Sequence, residues 1–225
     1  WDTDGYAWKD GTRAPHLDPR RVEVRVRDVN GDVIGGEIIF DSREQQTKVR
    51  PKPLVLVHGW WSDAGAWQLY PGFAHNVRAD WDVRAVNNMN TGSPLDFGQS
   101  LWKNAEALAS FIDLVRAELN AWHVDLVAHS KGGLVSRTYI NSYMPSYEAD
   151  GKRLVNRLLM LGTPNLGSPC ADLIPGDGAY EITPDYVEGI FNEEVTRRKG
   201  VPFSVLAGNP LAFTCTNMNI GDSVV

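Results

Sequence analysis

Cysteine is nearly absent: the 225 residues hold two, Cys170 and Cys215. That excludes a framework of several disulfides, and a chain of this length needs neither disulfide nor metal to bury a core. No run of about 18 consecutive apolar residues occurs, so no transmembrane helix is expected. Positive charge is short as well: 22 Lys and Arg face 28 Asp and Glu, for a net charge of −6. No basic footprint for a nucleic-acid partner follows from that balance. A signal-peptide pattern and an initiating methionine are both missing from Trp1-Asp2-Thr3-Asp4-Gly5. Such a start reads as a cleaved mature end or as a domain of something longer.

Residues 1–20 carry Gly, Pro and charge without periodicity and read as an extended arm or the end of a linker. Asp2, Asp4 and Asp10 lack the further ligands of a calcium loop, so a polar arm is the reading. One domain is expected over 21–225. Val22, Val24 and Val26 alternate with charged residues, Asn30-Gly31 follows, and Val33 to Phe40 is again apolar: a β-hairpin. Pro53 to Val57 is a wholly apolar run, as in a strand buried on both faces. Trp81–Val86 is a weaker strand, and Val124–Ala128, Leu154–Leu161 and Phe203–Leu206 supply three more. Leu101, Ala105, Leu108, Ile112, Val115 and Leu119 share one helical face, and Lys131–Tyr143 reads as a second helix. Strands alternating with helices predict a three-layer α/β fold with a mostly parallel sheet. Chemistry then belongs at the carboxyl ends of the strands, after Val57, Ala128, Leu161 and Leu206.

Ala128-His129-Ser130-Lys131-Gly132-Gly133 is the most informative stretch. A buried strand ends, one serine follows, and small residues open a helix: the small-x-Ser-x-Gly pattern of a nucleophile elbow. The turn is so tight that Ala128 and Gly132 must be small, and it holds the Ser130 hydroxyl exposed at a helix N-terminus. The alternative is an ordinary N-cap serine. His129 is expected to point away as a structural histidine. His58-Gly59-Trp60-Trp61 follows the first buried strand. Gly59 permits close backbone approach, His58 orders the loop, and the backbone N–H groups of Trp60 and Lys131 are the candidate oxyanion donors. Trp60, Trp61 and Trp67 either line an acyl pocket or fill core.

Together VLVHGWW (55–61), LVAHSKGGLVSR (126–137) and LMLGTPNLGSP (159–169) resemble the α/β-hydrolase superfamily, and within it the bacterial lipases and lipase-like esterases. The resemblance spans roughly residues 50 to 225. It implies a carboxylic-ester hydrolase working through an acyl-enzyme on an ester or lipid substrate, with no metal or organic cofactor. The family order is Ser, then Asp or Glu, then His. Gly221-Asp222-Ser223-Val224-Val225 resembles the acid loop and makes Asp222 the expected acid, with Asp172 and Asp177 as runners-up. The five histidines, His16, His58, His75, His123 and His129, all precede Asp222. The expected base therefore lies beyond Val225, in further C-terminal sequence continuous with this chain. That leaves the C-terminal part of the fold outside the sequence and an activity impaired without it. His16 from the arm is an alternative base.

Residues 174–200 stand where the family places a cap. They read as a lid, or as a surface helix packing its apolar face. Cys170 and Cys215 fall in expected loops and form either one disulfide or two free thiols. Bonded, they brace the loop before Asp222 and suit an extracellular, cell-surface or periplasmic enzyme. Two other readings of the same fold stay open: a non-catalytic binding or adhesion module, and an acyltransferase or thioesterase.

Overall fold

The computed structural model describes residues 21–24, 30, 38–41, 52–69, 81–93, 96–146, 153–171 and 177–207. Strands β1 (Arg21–Val24) and β2 (Ile38–Asp41) pair antiparallel, Arg21 opposite Asp41 and Val24 opposite Ile38. They form a two-stranded sheet of their own, in keeping with the expected hairpin.

Among the described residues the main sheet has five strands: β3 (Pro53–Val57), β4 (Asp82–Ala85), β5 (Val124–His129), β6 (Val155–Leu161) and β7 (Phe203–Leu206). Their order is β4-β3-β5-β6-β7, and every neighbouring pair is parallel. The apolar runs of β3 and β5 occupy the middle because a central strand must be buried on both faces. All five residues of β3 are buried.

Side chains alternate across the sheet. Val55, Val57, Leu126, Ala128, Leu158 and Met160 enter the main core. Leu54, Leu56 and Val127 enter a smaller cluster with Trp67 on the opposite face. The main core is covered by α1 (Leu101–Leu119) and α2 (Lys131–Thr138). The expected stripe of α1 is what packs: Leu101, Ala105, Leu108, Ile112 and Val115 are buried. Ser100 caps its start by accepting from the Lys103 N–H at 3.3 Å. Asn120 ends it in the left-handed region at φ 50°. A π-helical turn, Tyr139–Tyr143, continues α2.

From 177 onward the chain forms α3 (Asp177–Tyr180), α4 (Pro184–Tyr186), a π-helical turn (Val187–Phe191) and α5 (Asn192–Glu194). Within this stretch Ile182, Val187 and Phe191 join the main core, while Tyr180 and Ile190 are exposed. The described portion of the expected cap, 177–200, is thus seated on the domain by its own apolar side chains.

The strand order has one reversal that matters. After β3 the chain steps outward to β4, then returns through α1 to β5 on the other side of β3. Such a switch opens a crevice at the carboxyl ends of the two strands, between loops that leave in opposite directions.

Candidate active site

Ser130 and Gly59 meet in that crevice. Val57 and Ala128 are register partners at the ends of β3 and β5. Ser130 lies two residues past Ala128, with φ 52° and ψ −130°. That conformation is in practice reserved for glycine, and a serine held there signals a constraint imposed by its surroundings. Several contacts impose it. The Ser130 N–H donates to the Leu161 carbonyl at 2.9 Å, and the Ser130 carbonyl accepts from Gly133 at 2.9 Å. A Cβ on Gly132 would lie 2.5 Å from the His58 carbonyl oxygen. One on Gly133 would lie 2.0 Å from Thr163 Oγ1. One on Gly59 would lie 2.8 Å from the Ser130 Cβ. Small residues at 59, 132 and 133 therefore let β3, α2 and the loop after β6 close around one serine. Ala128 is fully buried.

The loop after β3 is braced from beneath. His58 is 2 % exposed. Its Nδ1 lies 3.2 Å from the Gly59 carbonyl oxygen and 3.4 Å from Thr91 Oγ1. Thr91 in turn donates to the Ser62 carbonyl at 3.1 Å. Burial pulls the imidazole below its ordinary pKa, against weaker opposing effects of the Gly59 carbonyl and Asp63. His58 is hence a neutral ring tying the 58–62 loop to the loop after β4. The Trp61 N–H is taken by the Thr91 carbonyl at 3.3 Å. The N–H groups of Trp60 and Lys131 have no protein acceptor among the described residues. Lys131 is the first residue of α2, where a helix leaves its N–H groups unpaired.

Of the tryptophans, Trp60 and Trp61 come together, ring centroids 4.6 Å apart. Trp67 instead packs on the other face of the sheet. His129 ends β5 half-buried, and His123 precedes β5 at the far end of the sheet. Asp177 opens α3. Asp222, Asp172, His16, His75 and Cys215 lie outside the described residues. Cys170 is not a free thiol.

The Lys131 side chain is a feature that sequence reasoning missed. It is fully buried, and its ammonium donates to Glu181 Oε2 at 2.8 Å and to the Gly178 carbonyl at 3.1 Å. Glu181 also accepts from the Leu101 N–H with both oxygens, at 2.9 and 3.0 Å. A lysine is solvated by default, and no periodicity connects 131 to 181.

A cavity of about 680 Å³ lies along β6 and β7, lined in part by Arg137, Met160, Asn165, Asn192 and Phe203. Ser130, Trp60 and Lys131 are not among its lining residues. Arg137 donates to Asn165 Oδ1 at 2.9 Å and to Asn192 Oδ1 at 2.8 Å, pinning the loop after β6 to α2 and α5. Burial, then Arg198, lowers its pKa to about 10, which leaves it charged at neutral pH.

Comparisons with known proteins agree on the fold. The family model described as "Domain of unknown function (DUF7379)" matches residues 38–174. Among solved structures, the Bacillus licheniformis lipase BlEst2 superposes with a TM-score of 0.57 at 21% identity, over 72% of this chain and 67% of that one. The phospholipase PlaB from Legionella pneumophila does so with a TM-score of 0.53 at 17% identity. There the match covers 70% of this chain and 39% of the phospholipase, so this chain spans about two fifths of that protein. The domain has an α/β-hydrolase fold.

Proposed function

From the premise that the chain belongs to the family described as Domain of unknown function (DUF7379), we propose that it is a serine hydrolase that cleaves carboxylic esters through an acyl-enzyme. One observation carries the reading. Ser130 sits at φ 52° at the mouth of the switch-point crevice, against Gly59, and the N–H groups of Trp60 and Lys131 have no protein acceptor among the described residues.

In this reading the Ser130 Oγ attacks the ester carbonyl carbon while a histidine takes its proton. The oxygen of the tetrahedral adduct is held by the N–H groups of Trp60 and Lys131. Each such donor contributes about 10²- to 10³-fold to the rate. The adduct collapses, the alcohol leaves with the histidine's proton, and water releases the acid by the same steps in reverse. Asp222 is the acid that orients the histidine and stabilises its imidazolium. The base is a histidine C-terminal to Val225, with His16 as the alternative; His58 is buried and engaged in its own loop. A Cys170–Cys215 bond bracing the segment before Asp222, and a location outside the cytoplasm, belong to the same proposal. The substrate is an ester or lipid.

The test is fluorophosphonate labelling of this chain and of a C-terminally extended parent, read by peptide mass spectrometry, alongside a panel of esters, thioesters and amides. Labelling at Ser130 in the parent, lost in Ser130→Ala, is the expected result. An unlabelled, inactive parent would overturn the reading and favour a binding module on this fold.

A further inference from the structure

The two residues that offer N–H groups to the crevice also send their side chains to one place. A Cβ on Gly178 would lie 3.2 Å from the Trp60 indole nitrogen and 3.6 Å from the Lys131 ammonium. The same Cβ would lie 2.6 Å from the Phe97 carbonyl oxygen, so only glycine fits. The Trp60 indole N–H is buried with no hydrogen-bond partner among the described residues, so packing places that ring. Lys131 is placed by charge, through the Gly178 carbonyl and Glu181. Glu181 is itself fixed to the first N–H of α1.

A buried ion pair is weak grounds for stability, because desolvation offsets most of its attraction and an apolar pair of similar volume does as well. What the pair supplies is register. An ammonium with two acceptors has one seat, whereas a methionine in the same space has several. Lys131 carries its N–H and its anchored side chain on the same Cα, so a seat fixed at Glu181 fixes the direction of that N–H.

Resting on the ester-hydrolase reading, we infer that Lys131, Gly178 and Glu181 form a positioning hub. It sets the N–H groups of residues 60 and 131 in mutual register and tunes the oxyanion hole from behind. Neither Glu181 nor the Lys131 side chain touches substrate. In this arrangement α3 and the turn after it are a fixed wall of the site.

The variants are Lys131→Met, Gly178→Ala and the apolar double variant Lys131→Met/Glu181→Leu in the extended parent, with Lys103→Met as a control for loss of an exposed ion pair, that of Lys103 with Glu106. Lys131→Met and the double variant are expected to fold, and kcat to fall about 10- to 100-fold while KM stays within about threefold. The Trp60 amide and indole signals should broaden in nitrogen-15 NMR spectra, and Lys103→Met should match the wild type in both. Unchanged kcat and sharp Trp60 signals in the double variant, with only thermal stability altered, would overturn the hub. Should the wild type neither label at Ser130 nor cleave esters, the functional reading falls. The spectra then decide the hub alone: broadened Trp60 signals uphold it and sharp ones overturn it.

Discussion

The Gly59 backbone lies against the Ser130 side chain: a Cβ on Gly59 would stand 2.8 Å from the Ser130 Cβ and 3.3 Å from its Oγ. Real Cβ atoms do not approach that closely, so any larger residue at 59 must push the loop after β3 away from the serine. Gly59→Ala should therefore lower kcat/KM by about 100-fold or more, as a displacement of roughly 1 Å at the reacting atoms does. The far-UV circular dichroism should be unchanged. A variant of wild-type activity would remove Gly59 from the site.

Ser130 is held where only glycine is at ease, at φ 52° and ψ −130°. Strain of that kind costs about 1–3 kcal/mol. Ser130→Gly is expected to raise the unfolding free energy by an amount in that range while abolishing ester cleavage. Urea unfolding curves with parallel slopes would establish it. A destabilised Ser130→Gly would mean that the serine side chain contributes more than its backbone costs.

His58 links stability to pH. Burial sets its folded pKa below the ordinary 6.5. As pH falls below that value, unfolded chains accept a proton that the folded ring refuses, so stability drops. The contribution is intact above 6.5 and diminishes down to the folded pKa. His58→Gln removes this titration. Between about pH 7.5 and about pH 5.5 its urea midpoint should fall less than that of the wild type. Equal falls would show that His58 takes its proton without penalty.

At the opposite end of the sheet, Asp125 is 2 % exposed. It accepts from Lys52 at 2.9 Å, Trp81 Nε1 at 3.2 Å and Asn156 Nδ2 at 2.9 Å. Asp125→Ala removes the shared acceptor of all three. Breaking a buried pair of this kind costs about 3–5 kcal/mol. Ser130 lies beyond the other end of β5, so kcat per folded molecule should stay within about twofold of wild type. Denaturant titration and active-site-normalised kinetics separate the two effects.

The strands were legible for a simple reason. A run such as Pro53 to Val57 has no polar side to turn to water, and only a central parallel strand accommodates it. The Ser130 turn was legible because its tightness demands small neighbours, and the 2.5 Å approach that a Cβ at Gly132 would make is that demand in space. Glu181 was not legible. Its two partners lie 50 and 80 positions away, and no local pattern announces a carboxylate that caps one helix while anchoring the first lysine of another. Trp67 was grouped with Trp60 and Trp61 by sequence proximity, whereas the 3-10 turn Ala64–Leu69 carries it to the other side of the sheet. Thr163 closing on Gly133 was equally hidden, because contact between successive crossover units depends on sheet order rather than on spacing.

The Ser130 amide bonds to the Leu161 carbonyl just beyond the last register pair of β5 and β6, His129 with Leu161. Ser130 is therefore a rung of the sheet and only secondarily part of a loop. Its position is set by strand spacing, which hydrogen bonding holds at about 4.8 Å. The neighbouring segments 60–69 and 87–93 can change their lining without moving Ser130. A fold wired this way lets the lining of the crevice drift while residue 130 stays where the strands put it.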